Sequence, residues 1–460
     1  MRRFKLVVIG AGTAGLTALN EARRVTDDVL LINHGPYGTT CARVGCMPSK
    51  ALLAVSHGLA QQRFLQQVGV QWQGMDVDVP AVMAHVRRLR DGFIAGPIRA
   101  SAPAEHSIHG APRFLDANTL EVNGERIHAD ATVIATGSSP VVPAPWREFG
   151  ERVVTTDEFF ELEHPGQRVA VIGLGAIGAE LGQGLAQLGL QVEGFSRGSL
   201  VGGLTDAAIS TVLADSLAEV MTVTLGHEVN VEAAGNGLRV RAGDREVEVD
   251  RALLALGRRP NLDGLGLDQL VTLDERGRPP LHPHTLQVAE LPIYLAGDVA
   301  GLRPLMHEAA DEGRIAAWHA LHPEAAQRYQ RRAPLGIVFT RPNAARVGLS
   351  RRELPEHGVI VAEQDFSRQA RAGMEGFNRG RLHLYVAADS GELLGAEMAI
   401  AAGEHIAHLL AWCMQQRLTV GQMLHMPFYH PVVEEGLRSA LQQAAKQLGE
   451  RAPGPDLPQR

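Results

Sequence analysis

At 460 residues the chain is too long for one hydrophobic core and calls for about three domains. Its 45% hydrophobic and 21% charged residues are the balance of a soluble globular protein, and 50 glycines forecast many tight turns. A formal charge of −7 argues against nucleic acid or an anionic membrane as the main partner, and the short basic run "QRRAP" reads as a solvated face.

The first element raises a question of export. "MRRFK" before an apolar run resembles the charged region of a signal peptide, including the twin-arginine kind. Glycines interrupt that run, however, no small-residue cleavage site follows, and cleavage would remove the glycine loop. No run is long and glycine-free enough to cross a bilayer. The expected location is the cytosol, where structural disulfides are rare.

"FKLVVIGAGTAGLTALNEA" reads as an apolar strand, a glycine turn and a helix, with Gly10, Gly12 and Gly15 in GxGxxG spacing. The first glycine permits the turn, the second admits a pyrophosphate to the backbone, and the third packs helix on strand. The N–H groups at the helix start then hold the anion. "RVAVIGLGAIGAELGQGLAQLG" repeats the arrangement with Gly173, Gly175 and Gly178. Each copy closes on an apolar strand ending in glycine, "ADATVIATGSS" at Gly137 and "VDRALLALGRRPN" at Gly257. Two dinucleotide-binding modules of the Rossmann type in an α/β chain follow, as in proteins that pass electrons between two nucleotides. "IYLAGDVAG" places Asp298 at a further strand end. The C-terminal third, from "APLGIVFTRPNAARVGLS" onward, alternates as an α+β domain of about 120 residues. The ending "RAPGPDLPQR" reads as a flexible tail.

Two of the three cysteines, Cys41 and Cys46, stand in "TTCARVGCMPSK". On a regular helix residues five apart have Cα atoms about 8–9 Å apart, beyond the ~7 Å that a disulfide tolerates. If the two bond, Cys41 cannot share a regular helix with Cys46; Gly45 and Pro48 permit the break. A bond closing so short a loop removes little unfolded-state entropy, and its strain makes it easy to reduce. That suits a redox couple better than a staple. A metal site lacks partners, because the nearby His34 and His57 form no recognisable ligand pair. Cys413, in "LLAWCM", reads as a buried helix residue without chemistry.

"GTTCARVGCMPSK" is similar to the redox signature of the class I pyridine nucleotide-disulfide oxidoreductases. "GAGTAG", "ATG", "GLGAIGAELG", "ALGRRPN", "YLAGDV", "HEAADEG", "FTRPNAARVG" and "HPVVEEG" extend the resemblance over the whole chain. "PSK", "HEAADEG" and "MPFYHPVVEE" most resemble its dihydrolipoamide dehydrogenase branch. The resemblance implies an FAD-binding domain at 1–148, an NAD(P)-binding domain at 149–266 and a central domain completing the FAD site at 267–332. A dimer-interface domain at 333–450 and the tail at 451–460 complete it.

The same resemblance assigns roles. Cys41 exchanges with the dithiol substrate, Cys46 passes electrons to the flavin, and His430 is the base that Glu435 orients. The histidine acts across a homodimer. Lys50 and Glu180 form an ion pair beside the flavin. FAD is bound through Gly10, Gly12, Gly15, Asn33, Thr40, Lys50, Thr136, Gly137, Asp298, His307 and Ala309. The nicotinamide nucleotide falls to Gly173, Gly175, Gly178, Ser196, Arg197, Gly257 and Arg258. No metal is implied.

Several positions depart from the family. Asn33 replaces the acid on the adenosine ribose, which removes charge assistance from the FAD contact. Arg43 stands where asparagine is usual, and Ala176 lacks a bulky cover for the nicotinamide. Ser196 stands where NAD-specific members carry an acid, and the Arg197 beside it favours NADP(H), unless a shifted frame brings Glu193 into place.

The leading expectation is oxidation of dihydrolipoamide, free or on a lipoylated carrier protein, with NAD+. The rival is NADPH-driven reduction of another small disulfide. Glutathione reductase fits less well because its motif ends in "KK". Mercuric reductase and the large thioredoxin reductases call for cysteines near the C-terminus, which this tail lacks. Cys41 and Cys46 exclude a transhydrogenase. A redox sensor that binds FAD without turnover is the reading from another class.

Overall fold

The computed structural model describes residues 1–71, 76–100, 106–325 and 328–449; the tail expected at 451–460 lies outside the described residues. Cα packing divides the chain into two units. The first joins Met1–Pro48, His85–Val141 and Gly257–Arg331. Its sheet runs, in spatial order, Ser107–His109, Val29–Asn33, Arg2–Ile9, Glu125–Ile134, Thr119–Val122 and Arg113–Phe114, with Ile293–Leu295 also paired to Glu125–Ile134. The central strands are parallel. A parallel strand covered on both faces must be apolar throughout, and this explains the run Leu6–Ile9. Leu6 and Val8 enter one core, Val7 and Ile9 the other. The first of these cores is closed by the helices Thr13–Ala22 and Met306–Leu321.

The second unit joins Ser49–Ala84, Val142–Leu256 and Arg332–Arg460. Its parallel sheet has the order Thr222–Leu225, Gln191–Ser196, Arg168–Ile172, Arg251–Leu254, Val153–Val154. A three-stranded antiparallel sheet over residues 230–249 packs into the same core as this sheet. The C-terminal part is a five-stranded antiparallel sheet in the order Leu335–Val338, Asn343–Gly348, Leu393–Ile400, Gly380–Ala387, Val359–Asp365. Its core also takes in the helices Gly403–Gln415 and Glu435–Leu448. Two Rossmann-like modules and a C-terminal α+β part are thus present as expected. Cys413 departs slightly from expectation: it is half-buried against that core, and burial pushes its thiol pKa up. Among the described residues no helix is long and apolar enough to cross a membrane.

The internal repeat holds down to single hydrogen bonds. Gly10 N donates to Ile32 O and Gly173 N to Phe195 O, both at 2.7 Å. Gly10 and Gly173 adopt φ of +109° and +100°, where a Cβ would lie 2.3 Å from Ala135 O and 2.4 Å from Ala255 O respectively. The third glycines are tighter still. A Cβ on Gly15 or Gly178 would stand 1.8 Å from the carbonyl oxygen of Gly10 or Gly173.

Substitution should separate the two kinds of glycine. Gly178→Ala forces backbone against backbone and is expected to cost about 3 kcal/mol or more. A Cβ on Gly175 meets nothing within 4 Å, so Gly175→Ala should leave stability within about 1 kcal/mol of the parent while weakening dinucleotide binding. Denaturant midpoints of the two variants, side by side, check this.

Candidate active site

Thr39 opens the redox segment. Its backbone sits at φ +53° and its Oγ1 accepts from Ala42 N at 3.1 Å, capping a short helix, Thr40–Val44. Gly45 then leaves helical geometry (φ −126°, ψ −117°), and a new helix, Cys46–Gln67, begins. The break that a Cys41–Cys46 bond requires is therefore present. Cys41 is half-buried and Cys46 exposed. Cys46 is the first residue of a 22-residue helix, whose N-terminal partial positive charge stabilises a thiolate.

One turn further on, Lys50 Nζ donates to both oxygens of Glu180, at 2.9 and 2.7 Å. Glu180 is only 4% exposed, so its remaining lone pairs need donors. Phe339 N supplies one at 2.8 Å, and Lys50 Nζ lies 4.5 Å above the Phe339 ring. Gln183 makes the matching contact: its Oε1 accepts from Arg341 N at 2.7 Å and its Nε2 donates to Arg341 O at 2.9 Å. Side chains three apart on a helix thus hold backbone groups two apart on the bend between strands Leu335–Val338 and Asn343–Gly348. Phe339 and Gln183 escaped the sequence reading; Phe339 lies in the matched "FTRPN" and Gln183 in the second glycine repeat.

His430 Nδ1 lies 3.0 Å from Glu435 Oε1. The bond from His430, followed by one from Val432 N at 3.2 Å, holds the Glu435 carboxyl below its ordinary pKa. A carboxylate only accepts, so Nδ1 is the donor in this bond, and Nε2 is the ring nitrogen left for another partner. The imidazole side chain is 77% exposed. Gln369 Nε2 fixes the same turn by donating to Val432 O at 2.7 Å. Cys41 and Cys46 belong to the first unit; Lys50, Glu180, His430 and Glu435 belong to the second.

In the first unit, strand Ser138–Pro140 pairs antiparallel with Arg258–Pro260 and gathers Thr136, Gly137, Arg258 and Asp298. Thr136 Oγ1 donates to Asn261 O at 2.6 Å, and Ser138 Oγ donates to Asp298 Oδ2 at 2.7 Å. Arg258 Nε donates to Ser138 Oγ at 2.8 Å. Gly297, just before Asp298, has φ +84°; a Cβ there would lie 2.9 Å from Ala14 Cβ, so the loop presses on the first module's helix. His307 and Ala309 sit on the helix Met306–Leu321, the former exposed and the latter buried.

Asn33 is 6% exposed. Its Oδ1 accepts from Ala11 N at 2.9 Å and its Nδ2 donates to Gly35 O at 3.0 Å, so the amide braces the glycine loop from below. Strand register fixes its counterpart in the second module. Ile9 pairs with Ile32 and Ile172 with Phe195, which makes Ser196 the equivalent of Asn33. Glu193 lies three residues earlier and is engaged by Arg245 at 3.1 Å. The shifted frame does not apply.

The chain fits two dinucleotides by its donors. Gly12 and Gly175 cap their helices without a side-chain hydrogen bond, and neither first turn contains an acid. Each helix start thus offers N–H groups to a pyrophosphate, with no carboxylate to repel it.

Comparison with known proteins agrees with this architecture. Residues 4–318 match the model of the pyridine nucleotide-disulphide oxidoreductases, and residues 335–441 match that family's dimerisation domain. A dihydrolipoyl dehydrogenase of Thermus scotoductus is 31% identical, over 97% of this chain and 98% of that one. A mercuric reductase of Staphylococcus aureus is 29% identical, over 95% of this chain and 82% of that one. The structure of the HOCl-induced flavoprotein disulfide reductase RclA from Escherichia coli superposes with a TM-score of 0.83 at 23% identity, covering 96% of this chain and 99% of that one. A glycine loop in each module, a cysteine pair at a helix start and a C-terminal dimerisation domain come together in one assignment: this chain belongs to the pyridine nucleotide-disulphide oxidoreductases, homodimeric enzymes that use FAD and a nicotinamide nucleotide.

Proposed function

We propose that the protein oxidises dihydrolipoamide, free or on a lipoylated carrier protein, with NAD+ as the final acceptor. The observation that carries this reading is the His430–Glu435 bond at 3.0 Å, which leaves Nε2 to take a thiol proton. One substrate thiol, deprotonated by His430, attacks Cys41 of the Cys41–Cys46 disulfide; a mixed disulfide forms and Cys46 leaves as a thiolate. The second substrate thiolate then closes the lipoyl disulfide and releases Cys41. Bound FAD supplies the two-electron relay from the reduced cysteines to the nicotinamide. Lys50, neutralised by Glu180, presents a fixed ammonium to the flavin. Residues 1–148 and 267–332 hold FAD, 149–266 the nicotinamide nucleotide, and 333–450 the dimer contact that delivers His430.

The deciding experiment is the initial rate with dihydrolipoamide, run against NAD+ and NADP+ in parallel. Fast turnover with NAD+ supports the reading. No turnover with either, in protein that holds FAD, overturns it.

A second reading, NADPH-driven reduction of another small disulfide, is favoured by one observation. By register Ser196 takes the position equivalent to Asn33, with Arg197 beside it, and Glu193 is engaged by Arg245. Under that reading Ser196→Asp should move kcat/KM toward NAD(H) by about tenfold, the effect of roughly 1.4 kcal/mol. An unchanged ratio of kcat/KM for the two nucleotides counts against it.

A further inference from the structure

A cavity of about 1140 Å³ opens within the second unit, lined by the helix Cys46–Gln67, the segment 339–343 and the turn 375–379. His57 lies on its wall, seven residues beyond Lys50 and so about 10 Å further along the helix. Its Nε2 is buried and has no hydrogen-bond partner among the described residues. Burial, helped by the charge of Arg341, lowers its pKa to about 4, so the ring is neutral near pH 7.

Arg341 is the other unusual group. Its guanidinium lies 4.5 Å above the Phe377 ring and donates one hydrogen bond, to Gln61 Oε1 at 3.3 Å. Of the acids on the cavity wall, Glu219 pairs with Arg379 and Glu375 with Arg371 at 2.8 Å; Glu404 Oε1 lies 3.6 Å from His405 Nε2, and the charge of Glu375 also reaches Arg341. Lys50 is held by Glu180. Among the described residues Arg341 is thus the cation that faces this space with no carboxylate at salt-bridge distance. It is a planar fork with most of its donors unused, and its plane is fixed by the aromatic ring beneath.

We propose that this cavity is a binding site for a small organic anion, whose carboxylate or phosphate pairs with Arg341 and accepts a hydrogen bond from His57. The volume suits a metabolite-sized ligand, and the fork matches the geometry of both anions. An anion placed there cancels the repulsion that Arg341 exerts on His57 and gives the imidazolium an acceptor. The ring therefore takes up a proton on binding, and by linkage the anion binds more tightly as pH falls from about 6.5 toward 4.

The test is calorimetry on the FAD-loaded full chain, with inorganic phosphate and with succinate, in two buffers of different ionisation enthalpy. The expected result is binding by at least one probe below about 10 mM, with uptake approaching one proton at about pH 5.5 and none at about pH 8; the tighter probe identifies the class. Arg341→Gln, which keeps the backbone bonds to Gln183, should weaken binding at least tenfold with FAD content intact. His57→Gln should bind at about pH 8 as the parent does, yet take up about one proton fewer than the parent at about pH 5.5 with the same probe. It keeps the proposal testable should the arginine variant not fold. Absence of binding by both probes at about 10 mM, undiminished binding in Arg341→Gln, or unchanged proton uptake in His57→Gln overturns the proposal.

Discussion

Cys46→Ser protein is expected to hold its FAD and its fold and to turn over no dithiol. Cys46 is exposed, so an oxygen in place of sulfur disturbs no packing. The chemistry, in contrast, is removed outright. A serine hydroxyl forms no disulfide, and its pKa keeps it protonated where a thiolate at a helix start carries charge. We expect the steady-state rate with dihydrolipoamide to fall at least about a thousandfold, with the flavin absorption spectrum retained. A rate within about a factor of ten of the parent would remove the pair from the reaction. A protein that merely binds FAD and a partner would keep that partner in this variant, which separates enzyme from sensor.

His430→Gln is the second large effect. Glutamine keeps a donor for Glu435, so the turn over residues 430–435 retains its hydrogen bonds, but the amide has no lone pair basic enough to take a thiol proton. General-base loss of this kind costs about 10²–10⁴ in rate. The pH profile gives a sharper readout than the rate alone. A base must be unprotonated to act, so the parent's kcat/KM should fall toward acid pH, and that limb should vanish in the variant. Fold and FAD content should be unchanged, because the ring is exposed and outside the core. Near-parent rates would sink the assignment.

The parts of this molecule that were legible in its sequence are those fixed by backbone sterics. Gly10, Gly15, Gly173 and Gly178 are spelled out because no other residue fits 1.8–2.4 Å from a carbonyl oxygen. The apolar runs before them are spelled out because parallel strands are covered on both faces. The helix break at Gly45 was legible as a geometric condition. The Lys50–Glu180 and His430–Glu435 partnerships both came through family resemblance; for the first, nothing in spacing ties residues 130 apart. The frame at the end of Gln191–Ser196 was ambiguous, because an exposed strand end carries no composition signal of its own; register resolved it. Asn33 was read for what it offers a ligand. Its observed bonds to Ala11 and Gly35 show that it also supports the loop, a tertiary role invisible in sequence.

The bond from Phe339 N to Glu180 joins residues 159 positions apart, and that separation matters while the protein is being made. At about 5–20 residues per second, a ribosome needs roughly 10–30 s after adding Glu180 to supply its backbone donor. Throughout that interval a nascent chain has both glycine loops and the Cys41–Cys46 pair, but the Glu180 carboxylate lacks one of the groups that fix it. Competence at this position is therefore a late event in biogenesis, and a chain that ends before residue 339 carries Glu180 without the contact that completes it.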